Sequence, residues 1–283
     1  MPHNPLPFAA APHHYKLAVT GKNISYSKSP TIHSAFGKAL GIDVDYTIQD
    51  VGDETFEAKI TELQATGFYG CNITVPYKEN AFAIATYRSE RAVQAQAANT
   101  FVFNDDGTIR ADNTDGIGFI RDVTENIGYE LAGKRILITG AGGAVSGILG
   151  PLVAQNPANI TIANRTIAKA EALAKRFATD TVTLHGCGYD TLADSTFDII
   201  IDGSSLKDTM VPIPDSVILA ADALVYDLKY SPTKPTEIMT WAHSRSVKKI
   251  HDGIGMLVEQ AAVAFELWTG KKPITALVLG TLR

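Results

Sequence analysis

Residues 133–156 read GKRILITGAGGAVSGILGPLVAQN, and this stretch decides the fold. The apolar run Arg135–Thr139 has the length and branched content of a buried strand. It leads into Gly140-Ala141-Gly142-Gly143-Ala144, and apolar residues then continue long enough for a helix. Glycines there permit a tight turn and let backbone N–H groups approach an anion, while the helix N-terminus that follows favours negative charge. Ala144 and Gly147 fall outside the strict GxGxxG spacing, so the weight rests on the setting between strand and helix. That setting points to a βαβ unit holding the pyrophosphate of a dinucleotide.

Toward the C-terminus, NITIANR (159–165) reads as the next strand, a helix follows Thr166, and FDIIID (197–202) and ALVYDL (223–228) supply later strands. The end of the second strand discriminates between cofactors. NAD-binding versions commonly place an Asp or Glu there for the ribose hydroxyls, whereas this chain has Asn164-Arg165-Thr166. An acid would repel a 2′-phosphate, and a guanidinium binds one through a planar, charge-assisted fork. Lys169, one helical turn on, can add charge, although most helix lysines are simply solvated. NADP is the expected cofactor.

Toward the N-terminus, YKLAVTG (15–21), VDYTIQDV (44–51) and GCNITVP (70–76) read as strands separated by helices over 29–41 and 53–67. Asn104-Asp105-Asp106-Gly107 reads as a hairpin turn between TFVF and TIRA, which makes this first sheet mixed. The fold class is therefore α/β: an N-terminal substrate domain with a mostly parallel mixed sheet, followed by a Rossmann-type NADP-binding domain. A length of 283 residues fits two domains.

Composition excludes several classes. With 25 basic and 30 acidic residues, the formal charge of −5 gives no footprint for nucleic acid or an anionic membrane. Cys71 and Cys187 form no CxxC pair, so neither a disulfide framework nor a metal site is expected, and both read as buried thiols. The start, MPHNPLPFAAAPHHYK, lacks a basic n-region and a long apolar run, and residues 1–14 read as a frayed tail. No stretch approaches the roughly 18 apolar residues of a membrane span, and the expected compartment is the cytoplasm.

Polar residues recur where the first domain's strands end. Ser27-Lys28-Ser29-Pro30, Thr74 to Lys78, Ala98-Asn99-Thr100 and Asp112-Asn113-Thr114-Asp115-Gly116 all do so. Singly, each suits a turn or cap, and Ser29 before Pro30 suits a helix N-cap. Their recurrence at successive strand ends is what suggests a ligand site.

The motifs SKSP, CNITVPYK, ANT, DNTDG, GAGGA, NRT, DLKYSPTKP and DGIGMLVEQ occur in this order. On them the chain resembles the shikimate dehydrogenase family over nearly its whole length. The resemblance implies NADPH-dependent, reversible reduction of 3-dehydroshikimate to shikimate, in the pathway to aromatic amino acids. It implies that Ser27 and Ser29 hold the substrate carboxylate, that Thr74, Asn99, Tyr230 and Gln260 surround the ring, and that Lys78 and Asp115 are the catalytic pair. Gly253 and Met256 join the cofactor residues Gly140 to Ala144, Asn164 to Thr166 and Lys169. The implied division is 15–115 with 253–283 for substrate and 116–252 for NADP, in a monomer or homodimer.

Chemistry agrees with the pair: hydride arriving at a ketone builds alkoxide character, which a nearby ammonium stabilises and protonates. Met256 and Gln260 are four apart and share a helix face, although methionine also commonly fills core gaps. Tyr230 suits packing as well as a ligand contact.

The chain departs from the family pattern at three places. Tyr26 stands where histidine is common, Ser146 where arginine often follows the Gly-rich turn, and Asp202-Gly203-Ser204-Ser205 in place of Asn-Ala-Thr-Ser. A carboxylate near a pyrophosphate is unfavourable unless it is paired or points away. The alternatives are an NAD-dependent quinate/shikimate dehydrogenase and a non-catalytic NADP- or metabolite-binding protein.

Overall fold

The computed structural model describes residues 14–52, 54–204, 211–231 and 234–282. Strand and helix alternate as β1 (His14–Gly21), α1 (Ser29–Leu40), β2 (Asp43–Asp50), α2 (Phe56–Ala65), β3 (Gly70–Ile73), α3 (Lys78–Ile84), β4 (Tyr87–Arg88), α4 (Glu90–Ala95), β5 (Thr100–Phe103) and β6 (Ile109–Asp112). These build a sheet of order β2-β1-β3-β5-β6-β4. β1 runs parallel to β2 and β3, while β5 is antiparallel to both β3 and β6, which is the mixed sheet expected. The hairpin turn between β5 and β6 forms where expected, with Gly107 at φ +79° donating its N–H to the Asn104 carbonyl. His14, read from sequence as part of the tail, is instead the first residue of β1 and pairs with Asp43; residues 1–13 lie outside the described ones.

The chain continues through α5 (Asp115–Arg121), a π-helical turn (Asp122–Asn126), β7 (Arg135–Thr139), α6 (Gly143–Val153), β8 (Asn159–Ala163), α7 (Ile167–Phe177), β9 (Thr183–Cys187), a 3-10 turn (Tyr189–Leu192), β10 (Thr196–Asp202) and β11 (Ile218–Asp227). Then come α8 (Glu237–Ser244), β12 (Lys249–His251), α9 (Ile254–Thr269) and α10 (Ala276–Leu282). The second sheet has the order β12-β11-β10-β7-β8-β9, and every recorded pairing in it is parallel. The order reverses direction between β7 and β10, the doubly wound arrangement that binds a dinucleotide across the switch point.

Two units result, one running to Thr114 and resuming over Gln260–Thr281, the other spanning Asp115–Glu259. The division between these units falls inside α9, between Glu259 and Gln260. Its physical reason is local: Met256 packs into the second unit's core and Glu259 accepts from Asn126 Nδ2 at 3.0 Å.

Each sheet is covered on both faces. In the second unit the alternation of period two is plain: Ile136, Ile138, Ile199 and Ile201 face α6, while Leu137, Ile200 and Val225 join Trp241 and Ala242 of α8. In the first unit Phe56, Ile60, Leu63 and Ile73 fill one side, and Leu17, Val19, Tyr46 and Trp268 the other. Burying each such side chain contributes about 1.5–3 kcal/mol. The His33 ring stacks on Tyr46 at 4.2 Å, and Trp268 donates its indole N–H to the Phe101 carbonyl at 2.8 Å. Cys71 and Cys187 are free and buried. Among the described residues no helix is long and apolar enough to cross a membrane.

Candidate functional site

In the first unit, the turn before α1 brings Ser27 and Ser29 together. Ser27 Oγ accepts the Ser29 N–H at 3.3 Å and donates to Ser29 Oγ at 3.2 Å. Ser29 is therefore not the cap: Lys28 occupies the N-cap position, and it is the Ser27 hydroxyl that satisfies an open amide of the first turn. This leaves the Ser29 hydroxyl turned toward Ser27 and toward the buried Tyr46 phenol.

The strand ends converge in a connected set of neutral polar groups. Asn99, 2% exposed, donates through Nδ2 to Thr114 Oγ1 at 2.9 Å and to Gln260 Oε1 at 3.2 Å. Its Oδ1 accepts the Thr114 N–H at 2.9 Å and the Thr100 hydroxyl at 2.9 Å. Behind it, Asn72 Nδ2 donates to the Asn99 carbonyl and to Thr100 Oγ1, both at 3.1 Å, while Tyr46 donates to Asn72 Oδ1 at 2.7 Å. Burial pushes the Tyr46 phenol well above its ordinary range, which keeps it a neutral donor. The structure thus brings Asn99 and Gln260 together with Thr100 and Thr114, read from sequence as polar groups at strand ends, and adds Tyr46 and Asn72, which sequence reasoning missed.

Lys78 begins α3 and its carbonyl accepts the Ala98 N–H at 2.8 Å, fixing it beside the Asn99 segment. Thr74, half-buried, is held by its N–H to the Thr20 carbonyl at 2.9 Å. Asp115 follows Thr114 directly, opens α5 in the second unit and is 4% exposed.

In the second unit the Gly-rich turn fits a pyrophosphate. Gly140 sits at φ +93°, and a Cβ there would lie 2.6 Å from the Gly203 carbonyl oxygen, so only glycine suits it. Gly142 caps α6, is exposed, and has open space where a side chain would stand; Gly143 and Ala144 form the first turn. That leaves the helix's free N–H groups accessible to an anion. At the end of β8, Asn164 Nδ2 donates to the Thr166 carbonyl at 3.0 Å, Thr166 caps α7, and the exposed Arg165 and Lys169 flank it. The Tyr189 hydroxyl reaches the Gly140 backbone amide and couples to Arg165 and Asp202. Burial raises its pKa. No motif in the sequence marks Tyr189.

Gly253 donates its N–H to the Lys229 carbonyl at 2.8 Å, Tyr230 is half-buried just beyond, and Met256 is a core residue at 6% exposure. The shared face of Met256 and Gln260 is therefore divided, one side chain in the second unit's core and the other in the first unit's polar network.

Two of the three departures are compensated. Ser146 receives a hydrogen bond from Arg176 Nη2 of α7 at 2.7 Å, so a guanidinium reaches the same helix turn from another element. Asp202 is paired through both oxygens, to the Thr139 hydroxyl and to Lys229 Nζ at 3.3 Å. Tyr26 is 56% exposed, and Ser205 lies outside the described residues.

A doubly wound sheet with a Gly-rich turn after its first strand, and an arginine in place of an acid after its second, defines a dinucleotide-binding α/β protein suited to NADP. Comparison with known proteins narrows this. Residues 19–101 match the shikimate dehydrogenase substrate binding domain, 122–213 the shikimate / quinate 5-dehydrogenase model and 253–283 the shikimate 5′-dehydrogenase C-terminal domain. The shikimate dehydrogenase (NADP(+)) of Methylobacillus flagellatus is 44% identical, over 95% of this chain and 98% of that protein. The crystal structure of an Ael1 enzyme from Pseudomonas putida superposes with a TM-score of 0.84 at 38% identity, covering 95% of this chain and 98% of that one. A shikimate dehydrogenase solved in complex with NADP+ gives 0.81 at 32% identity, over 95% and 96% of the two chains. The chain belongs to the shikimate dehydrogenase family.

Proposed function

We propose that this protein is an NADP-dependent dehydrogenase that reduces 3-dehydroshikimate to shikimate, reversibly, in aromatic amino acid biosynthesis. The observation that carries the reading is the buried Asn99–Thr114–Gln260 network, whose neutral donors and acceptors suit a polyhydroxylated ring. Ser27 and Ser29 take the carboxylate, and Thr74 and Tyr230 complete the surround. Bound NADPH supplies the hydride to the carbonyl carbon; Gly140–Ala144, Asn164–Thr166, Lys169, Gly253 and Met256 are the residues assigned to holding it. As charge develops on the carbonyl oxygen, the Lys78 ammonium stabilises it and gives it a proton from Nζ, and solvent restores that proton. Asp115 is assigned as the other member of the catalytic pair, accepting a hydrogen bond from a substrate hydroxyl. In this reading the enzyme acts in the cytoplasm, as a monomer or homodimer.

Absorbance of the reduced nicotinamide, with shikimate or quinate and NADP or NAD, tests the whole reading. Reduction of NADP by shikimate is the expected outcome. A preference for NAD with quinate overturns it in favour of a catabolic relative, and ligand binding without turnover in any pairing overturns catalysis.

A further inference from the structure

The C-terminal ends of β7, β10 and β11 set Thr139, Asp202 and Asp227 in register on adjacent parallel strands. Two carboxylates thereby end neighbouring strands, at 5% and 0% exposure. Asp202 Oδ1 accepts the Thr139 hydroxyl and the Ser204 N–H, the latter at 3.1 Å, while its Oδ2 faces Lys229 Nζ at 3.3 Å. Asp227 Oδ1 accepts the Lys229 N–H at 2.8 Å, and its Oδ2 lies 4.0 Å from Lys229 Nζ. Among the described residues the Ser204 hydroxyl, 9% exposed, is buried here without a hydrogen-bond partner. Gly253 locks the Lys229 segment in place: a Cβ at residue 253 would lie 2.4 Å from the Leu228 carbonyl oxygen.

The position of this cluster gives it a ligand. The Gly-rich turn and Arg165 follow β7 and β8, on one side of the switch point, and the second half of a dinucleotide crosses to the strands on the other side. Those strands are β10 and β11, and their ends carry the cluster. The nicotinamide ring is cationic when oxidised and neutral when reduced, so a fixed charge beside it acts on one form only. We propose that Asp202, Asp227 and Lys229 form the seat of the nicotinamide half and set the preference between its oxidised and reduced forms. This rests on the NADP reading given above.

The sign follows from charge counting. With both carboxylates ionised the trio carries one net negative charge and favours the oxidised ring; with Asp227 protonated it is neutral and favours neither. Burial, and then the Asp202 carboxylate, push Asp227 up to about 7, against the Thr236 hydroxyl from the N-cap of α8 and Lys229. Tyr189, from the turn after β9, couples to Asp202 and to Arg165. The preference for the oxidised cofactor therefore strengthens as pH rises through neutrality.

Equilibrium binding of NADP+, NADPH and the fragment 2′,5′-ADP, on the intact protein at pH 6 and pH 8, tests this. Asp202→Asn is expected to weaken NADP+ about three- to tenfold at pH 8 while changing NADPH less than about twofold. Asp227→Asn, a near-isosteric change, is expected to abolish the pH dependence of the NADP+/NADPH ratio. If both forms weaken equally in both variants, the cluster is structural and the proposal fails; if neither ratio moves, it fails as well. Binding of 2′,5′-ADP separates the two levels. Its absence in the unaltered protein overturns the NADP reading itself, whereas its retention in the variants confines any failure to the nicotinamide seat.

Discussion

The two units handle polar groups in opposite ways. The first seals neutral amides and hydroxyls into a network where every member is the partner of another, from Tyr46 through Asn72, Thr100 and Asn99 to Gln260. The second presents exposed backbone and long charged side chains at strand ends, with Gly142, Arg165 and Lys169 open to solvent. A preorganised neutral network discriminates by pattern, because a ligand lacking a hydroxyl leaves a buried group unpaired. Exposed charge supplies attraction with less geometric demand and is screened by salt. A buried neutral network of this kind suits selection among polyhydroxylated rings, and exposed charge suits attraction of a phosphorylated cofactor.

The comparison breaks most visibly at Lys78. Lys78→Ala is expected to lower turnover by about 10²–10⁴-fold with NADP affinity unchanged, as measured by steady-state kinetics alongside cofactor titration. Unaltered turnover would remove Lys78 from the chemistry. Next in size, Arg165→Gln should weaken NADP by roughly 10–100-fold and leave NAD nearly untouched, the loss of a charge-assisted contact. This difference should shrink at high salt, and an equal loss for both cofactors would contradict a 2′-phosphate role. Asn99→Ala should cost about 1–3 kcal/mol of stability in denaturant melts, because Thr114 N–H and Thr100 Oγ1 lose their acceptor, and should raise the KM for shikimate but not for NADP. Equal effects on both substrates would show that the units are not separable in this way.

The last effect concerns pH. Asp227 titrates near 7 when folded and near 3.8 otherwise, so the folded state holds a proton that the unfolded chain has released. Its stabilising contribution is complete below pH 3.8 and is lost as pH rises toward about 7. Asp227→Asn should therefore flatten the decline in melting temperature across that window. An unchanged slope would place the titrating group elsewhere.

Much of this was legible in the sequence, and the illegible part has physical causes. Alternating apolar runs announced the strands flanking the Gly-rich turn, since a strand buried on both faces must be apolar throughout. The segment from Lys78 to Ala95 gave no such sign, because α3, α4 and the two-residue β4 are too short to show a period and depend on neighbours such as β6. Candidate ligands were visible as polar residues at strand ends. Their connections were not: Gln260 meets Asn99 across 161 residues, and Tyr46 meets Asn72 across 26. Likewise Ser146 looked like a lost arginine until α7 was seen to deliver Arg176 to it.

The chain has two tryptophans, and they fall one to each unit. Trp268 is 2% exposed against His33 and Tyr46, whereas Trp241 is partly buried with the Arg245 guanidinium 4.6 Å from its ring. Nature has thus supplied each unit with its own fluorophore in a distinct setting, the more shielded indole emitting at shorter wavelength. A variant with either ring replaced by phenylalanine would turn a single emission trace into the unfolding record of one unit alone.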